Sequence, residues 1–112
     1  MTCNNIYEKA LALIGDMPTD AGTEYYADRA PALLSMVVRE YAPITGTVVP
    51  EITSLDASFP LDDRLAPPAA MRLAALLIID ELPGTAEVLN SSAARSLQAV
   101  WGAEISSIKE VY

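Results

Sequence analysis

Carboxylates are the side chains in this sequence with the widest catalytic repertoire. Two adjacent pairs stand out, Asp62 with Asp63 and Asp80 with Glu81. A pair of carboxylates can act as general acid and base, or can bind a hard cation such as Mg²⁺. Neighbouring residues on a helix point about 100° apart, so neither pair forms a dyad by itself. We interpret Asp62 and Asp63 as residues that stabilise a helix N-terminus. Asp80 and Glu81 are interpreted as a solvated helix end or as one half of an intersubunit salt bridge.

Other catalytic templates are missing from the sequence. It has no histidine, the commonest general base and metal ligand, and a single cysteine, Cys3, which is too few for a thiolate cluster or an intrachain disulfide. Its five glycines match neither a phosphate-binding loop nor a nucleophile elbow in their spacing. We therefore predict that the protein is not an enzyme and has no catalytic residues, no metal site and no cofactor.

Length and charge narrow the classes of protein and of partner. With 112 residues and a mass of 12.0 kDa, the chain has the size of one domain, so we predict a single helical domain over 1–112. Its 15 acidic and 7 basic residues give a formal net charge of −8. This charge repels phosphate backbones and anionic membranes. We expect no sequence-specific nucleic-acid binding and no membrane partner.

The apolar content of the chain indicates a protein partner. Hydrophobic residues make up 52% of the sequence, and the mean hydropathy is +0.27. These values are high for a small domain, because its large ratio of surface to volume leaves little interior for apolar side chains. We expect part of the apolar surface to contact another chain, and a homo-oligomer is the simplest arrangement that provides one.

Four apolar stretches with helical periodicity predict an all-α fold, a small bundle of four main helices. They lie at about 5–17, 23–41, 69–82 and 85–112. The third stretch is apolar nearly all round, which places it at the centre of the domain or at a subunit contact. We expect Pro43 and Gly46 to end the second helix, and Thr85 to cap the fourth.

Individual residues predict where the helices begin and bend. Asn5 and Glu8 have the spacing of a capping box at the start of the first helix. Pro31 predicts either a kink or a short helix that abuts a longer one. Pro67 and Pro68 are tolerated only in a first helical turn. They predict a short turn, a break, and then the main third helix.

The segment 44–61 joins the second and third helices and contains β-prone residues on both sides of Pro50. We predict a long central loop or a short β-hairpin arm that protrudes and contacts a partner. Arg72 is a charge in an apolar helix and must pair within the chain or across an interface. Trp101 is either a core residue of its helix or a binding hot spot. The candidate interface residues are Val48, Val49, Ile52, Leu55, Phe59, Arg72 and Trp101.

Three segments of the chain resemble the small helical head-to-tail connector proteins of tailed bacteriophages and prophages, also called adaptor or head-completion proteins. The first is 5–15, which reads NIYEKALALIG, and the second is 26–34, which reads YADRAPALL. The third is 55–81, which begins with Leu55 and Asp56, continues through FPLDDRL and ends in ALLIIDE. The resemblance covers most of residues 4–82. The double proline at 67–68 departs from the family's pattern.

The resemblance implies a structural role without catalysis. Many copies of such a protein form a ring below the portal, extend the DNA channel and offer a docking surface to the next neck or tail component. The expected partners are therefore further copies of the chain, the portal protein and tail-completion proteins. The expected location is the neck of a virion, with synthesis in the cytoplasm of the bacterial host. Acidic charge suits a channel because a negative wall does not hold passing DNA.

Two other classes of protein stay open at this point. A small acidic cytoplasmic module or regulator could bind one partner protein through its charged surface, although the acidic residues are dispersed along the chain rather than clustered. An enzyme could instead combine carboxylates with a divalent cation. A bound ion of that kind would raise the thermal stability of the folded chain.

Overall fold

The fold was determined as a computed structural model, which describes residues 1–15, 23–46 and 48–111, with side chains for 1–15, 25–46 and 48–100. Four helices account for most of this part of the chain: α1 is Cys3–Leu13, α2 is Thr23–Thr45, α3 is Ala66–Ile78 and α4 is Pro83–Val111. The described residues contain no β-strand, only an isolated antiparallel bridge between Thr2 and Ser58. The predicted all-α bundle of four main helices is therefore confirmed.

Helix α1 begins earlier than predicted. Its N-cap is Thr2, whose hydroxyl accepts a hydrogen bond from the Asn5 N–H at 3.3 Å, while Asn5 Oδ1 accepts one from the Thr2 N–H at 2.8 Å. Asn5 is thus the third residue of the helix and not its cap, because a hydroxyl three residues upstream completes the box. The helix ends at Leu13, and Gly15 follows with a φ of +81°. Met17, the last residue of the predicted stripe, lies outside the described residues.

Helix α2 continues through both of its prolines. Pro31 and Pro43 lie within Thr23–Thr45, so Pro43 does not end the helix and the alternative of two abutting helices is wrong, whereas the predicted stop at Gly46 is confirmed. A proline in this position removes one hydrogen bond, which for Pro43 is the bond to the carbonyl of Arg39. Arg39 is exposed, so solvent can satisfy its carbonyl. The left-handed φ of +67° at Gly46 follows the last helical turn.

Helix α3 is the central element, as its apolar sequence predicts. It packs against α1, α2 and α4, and most of its residues are buried. A 3₁₀ turn over Asp63–Leu65 leads directly into α3, with Pro67 and Pro68 in the first turn of the helix. The short turn was predicted correctly, but the break after it is absent. The Asp62 side chain caps the 3₁₀ turn by accepting from the Arg64 N–H at 2.9 Å, and these contacts with Arg64 lower the pKa of Asp62.

Helix α4 starts at Pro83 rather than at Thr85, because proline is well suited to a first helical position. The connection from α3 is short and tight, with the Leu82 N–H donating to the Ile78 carbonyl at 2.7 Å. Helices that pack together across so short a connection run antiparallel. The 29 residues of α4 span about 43 Å and the 13 residues of α3 about 20 Å, so α4 extends well past its neighbour.

Residues 48–61 form a long loop that folds back onto the domain. The predicted long loop is therefore confirmed, although residues 44 and 45 still belong to α2, and the alternative of a protruding hairpin arm is wrong. The loop backbone pairs with the start of the chain: the Cys3 N–H donates to the Ala57 carbonyl at 2.8 Å, and the Phe59 N–H donates to the Met1 carbonyl at 2.9 Å. The part of the loop that follows the β-prone residues therefore pairs with the N-terminus rather than with another strand of a hairpin. Ile52 and Phe59 point inward and are buried in the core.

A buried serine fixes the middle of this loop to α2. The Ser35 hydroxyl accepts a hydrogen bond from the Ile52 N–H at 2.6 Å and donates one to the Ile52 carbonyl at 3.1 Å. Ser35 is the one buried polar residue among the described side chains. Because both backbone groups of Ile52 are buried away from water, this pair of hydrogen bonds compensates for their desolvation.

Candidate interaction surfaces

The predicted interface residues lie in different places: some are in the core and some are on the surface. Val48 is 96% exposed, whereas Val49 and Leu55 are half-buried and pack against the core. Ile52 and Phe59 are core residues, so their assignment to an interface is wrong, because an extended segment buries them within its own domain. The side chain of Trp101 lies outside the described residues.

Arg72 pairs within the chain, which is one of the two alternatives that the sequence left open. Its Nη1 donates to Asn90 Oδ1 of α4 at 2.7 Å, and its Nε lies 3.5 Å from Glu40 Oε2 of α2. The Nε group is buried and makes no hydrogen bond, so the contact with Glu40 is an ion pair only. The guanidinium thereby joins the central helix to both of its larger neighbours.

Tyr41 lies beside this ion pair and is itself buried. Its hydroxyl donates to the Pro68 carbonyl of α3 at 3.3 Å, and its ring lines a cavity of about 300 Å³ together with Arg72 and Asn90. Burial raises the pKa of Tyr41 from 10.0 to about 12, and repulsion from Glu40 adds to the increase while Arg72 opposes it. The neutral phenol is therefore the form that the folded protein favours.

We expect the raised pKa of Tyr41 to make the protein less stable at alkaline pH. The unfolded chain loses the Tyr41 proton from pH 10.0 upwards, whereas the folded protein keeps it until about pH 12, so the free energy of unfolding falls between these values. Urea unfolding at a series of pH values from about 8 to about 12 measures this loss of stability, because the range includes the pKa of an unperturbed tyrosine. Tyr41→Phe should flatten this fall, and Tyr25→Phe, at an exposed tyrosine, should not. An equal slope in Tyr41→Phe and the unaltered protein would contradict the prediction.

An apolar groove lies between α1 and the N-terminal half of α3. We call it the α1–α3 groove; it has a volume of about 400 Å³ and is lined by Lys9, Ala12, Leu13, Pro67, Ala70 and Met71. Ala70 forms a buried floor, and Leu13 is 44% exposed on the wall. Lys9 is exposed and makes no ion pair with any described residue. The groove therefore combines an apolar interior with one uncompensated positive charge.

A second apolar surface lies where α3 turns into α4. We call it the α3–α4 corner, formed by Ile79, Asp80, Glu81 and Leu82 with Tyr25 beside them. Ile79 and Leu82 are about half exposed, as is Tyr25. The Tyr26 hydroxyl donates to Glu81 Oε2 at 2.8 Å, and the Tyr25 ring lies 6.0 Å from the Tyr26 ring, which places all of these residues at one end of the bundle.

The carboxylate pairs have separate structural roles in this arrangement. Asp62 caps the 3₁₀ turn, and Glu81 accepts the hydrogen bond from Tyr26. Asp80 is exposed in the turn between α3 and α4. Within the described ranges no three potential metal ligands lie together. The described part of the chain also holds no helix both long and apolar enough to cross a bilayer.

Sequence reasoning missed the apolar residues of both surfaces, although it allowed an intersubunit salt bridge for Asp80 and Glu81. Leu13 lies in the predicted apolar stretch 5–17, but the helix ends there and the side chain stays partly exposed. Leu82 directly precedes Pro83, and an apolar residue in a turn at a helix boundary is the signal that could have identified it. No family model, curated protein or solved structure matches the chain. The two surfaces thus provide the main structural basis for a function.

Proposed function

We propose that this chain is a non-catalytic structural subunit that assembles with copies of itself into a ring, as a component of the head-to-tail connector of a tailed phage or prophage. In this role the ring occupies the virion neck and joins the portal to tail-completion proteins. The observation that carries the proposal is the presence of two different exposed apolar surfaces, the α1–α3 groove and the α3–α4 corner, on one small domain.

Ring assembly needs this kind of surface distribution. In a ring each subunit presents one surface to the preceding copy and a different surface to the next, whereas a twofold dimer uses the same surface twice. Eight large apolar side chains are exposed among the described residues, and single exposed ones need no explanation. Four of them, Leu13, Tyr25, Ile79 and Leu82, fall on the two surfaces.

Two further observations support the connector role in particular. The segments 5–15, 26–34 and 55–81 resemble those of connector proteins, and in this fold they form α1, the start of α2 and the central region that includes α3. The net charge of −8 also suits a channel through which DNA must pass without being held.

Mass photometry or native mass spectrometry over a concentration series, with and without a portal ring, tests this function. We expect closed oligomers of one defined copy number, forming at lower concentration when the portal ring is present because the ring holds neighbouring subunits close together. A chain that remains monomeric at every concentration, and does not bind a portal ring, would overturn the proposal.

The alternative of an acidic regulator that binds one partner protein makes a different prediction in the same experiment. Such a module stays monomeric without its partner and has no affinity for a portal ring. Its binding would depend steeply on salt, since it would act through dispersed surface charge. Closed oligomers that persist at high salt would therefore favour the connector.

A further inference from the structure

We propose that copies of this chain join head to tail, with the α3–α4 corner of one copy inserted into the α1–α3 groove of the next. The inference rests on the proposed function, since it names the two faces of the contact that a ring repeats. The occupant of the groove is thus a second copy, and the contact consists of Leu82 and Ile79 against Leu13 and Met71.

Both surfaces expose apolar side chains. The groove is almost entirely apolar, with the buried Ala70 among its lining residues. The corner is the turn between α3 and α4, and its Ile79 and Leu82 side chains are each about half exposed. Insertion of the corner would remove both of these side chains, and Leu13 on the groove wall, from water.

The charges at the two surfaces are complementary. Lys9 at the edge of the groove has no ion-pair partner in the described part of the chain, and Asp80 at the corner has none either. A lysine from the neighbouring copy would give Asp80 the ion-pair partner that the described part of its own chain does not supply.

The positions of the surfaces along α3 decide the symmetry of the contact. Pro67, Ala70 and Met71 of the groove belong to the N-terminal half of α3, and the corner follows its C-terminal end. The surfaces are thus separated along most of a helix about 20 Å long. When two copies join, one uses its corner and the other uses its groove. The pair therefore still has one free groove and one free corner, so further copies can be added by the same contact.

A complementation experiment with two charged variants tests this contact. Leu13→Glu places a carboxylate in the groove, and Leu82→Glu places one on the corner; both positions are 44% or more exposed, so both variants should fold. Each variant alone should fail to assemble. An equimolar mixture should form a two-chain complex and nothing larger, because one intact groove meets one intact corner. Met36→Glu, at an exposed apolar position of α2 outside both surfaces, is the matched control and should assemble normally.

A charge exchange tests the proposed ion pair separately. Lys9→Glu and Asp80→Lys should each weaken self-association at low salt by about two- to tenfold, in the range of exposed ion pairs. A chain that carries both substitutions should recover the original affinity, since the pair is restored with its signs reversed. Loss of affinity in the double variant equal to the sum of the two single losses would contradict the pairing.

The outcomes separate the failure of this contact from failure of the connector role. Assembly of Leu13→Glu and Leu82→Glu at the original affinity overturns the head-to-tail contact while leaving ring formation intact. A two-chain complex formed by either variant alone indicates a twofold contact and also overturns it. If assembly occurs only on a portal ring, the same variants and their mixture are compared there. An unaltered chain that never assembles, on the portal ring or without it, overturns both proposals.

Discussion

Ser35→Ala is expected to lower the free energy of unfolding by about 2–4 kcal/mol. The substitution removes the hydroxyl that pairs with both the N–H and the carbonyl of Ile52, at 2.6 and 3.1 Å. Each buried backbone group left without a partner costs about 1–3 kcal/mol, and methyl replacement leaves no polar atom to compensate. The small volume change between serine and alanine adds little to this effect.

Urea unfolding followed by circular dichroism measures the change. Ser91→Ala is the matched control, because Ser91 is exposed on α4 and alanine is the better helix former. The control should therefore unfold at the same or a slightly higher urea concentration. A Ser35→Ala variant whose stability lies within about 0.5 kcal/mol of the unaltered protein would show that the loop is held without this serine.

Leu73→Ala is expected to destabilise the protein by about 3–5 kcal/mol. Leu73 is fully buried in α3, the helix against which the other three pack. Deleting its side chain removes apolar contacts and leaves a cavity that helices on several sides cannot all collapse to fill. For a domain with a total stability of about 5–15 kcal/mol, a loss of this size removes between about a fifth and all of that stability.

Thermal and urea unfolding of Leu73→Ala and Leu82→Ala provide the comparison, since both delete the same atoms. Leu82 is 51% exposed, and its replacement should cost less than about 1 kcal/mol in the monomer. Equal losses in the two variants would mean that α3 is not the centre of the fold. The Leu82→Ala result also shows whether a substitution at the corner leaves the monomer intact, which the assembly experiments require.

The helices could be predicted because their signals are local. Apolar spacing identified all four, and the composition of α3 predicted its central position. The exact ends were less predictable, since they depend on competing local contacts. Thr2 rather than Asn5 caps α1, and α2 continues through Pro43, which removes the hydrogen bond to the carbonyl of the exposed residue Arg39.

The path of the loop and the two apolar surfaces could not be predicted, because both depend on residues far apart in the sequence. Alternating β-prone residues around Pro50 fit an exposed hairpin as well as a segment folded onto the core. The difference comes from Ser35 and Met1, which supply hydrogen-bond partners for Ile52 and Phe59. The groove likewise exists only because Leu13 and Pro67 are brought together by packing of α1 on α3.

The pairing of residues 1–4 with 55–59 imposes an order on folding during synthesis. Sequence separation between Cys3 and its partner Ser58 is 55 residues, so the first residues leave the ribosome long before their hydrogen-bond partners are made. Closing a loop of that length requires an entropy loss that local helix formation does not. Individual helices can therefore form early, whereas residues 1–4 dock only after the middle of the chain has emerged from the ribosome.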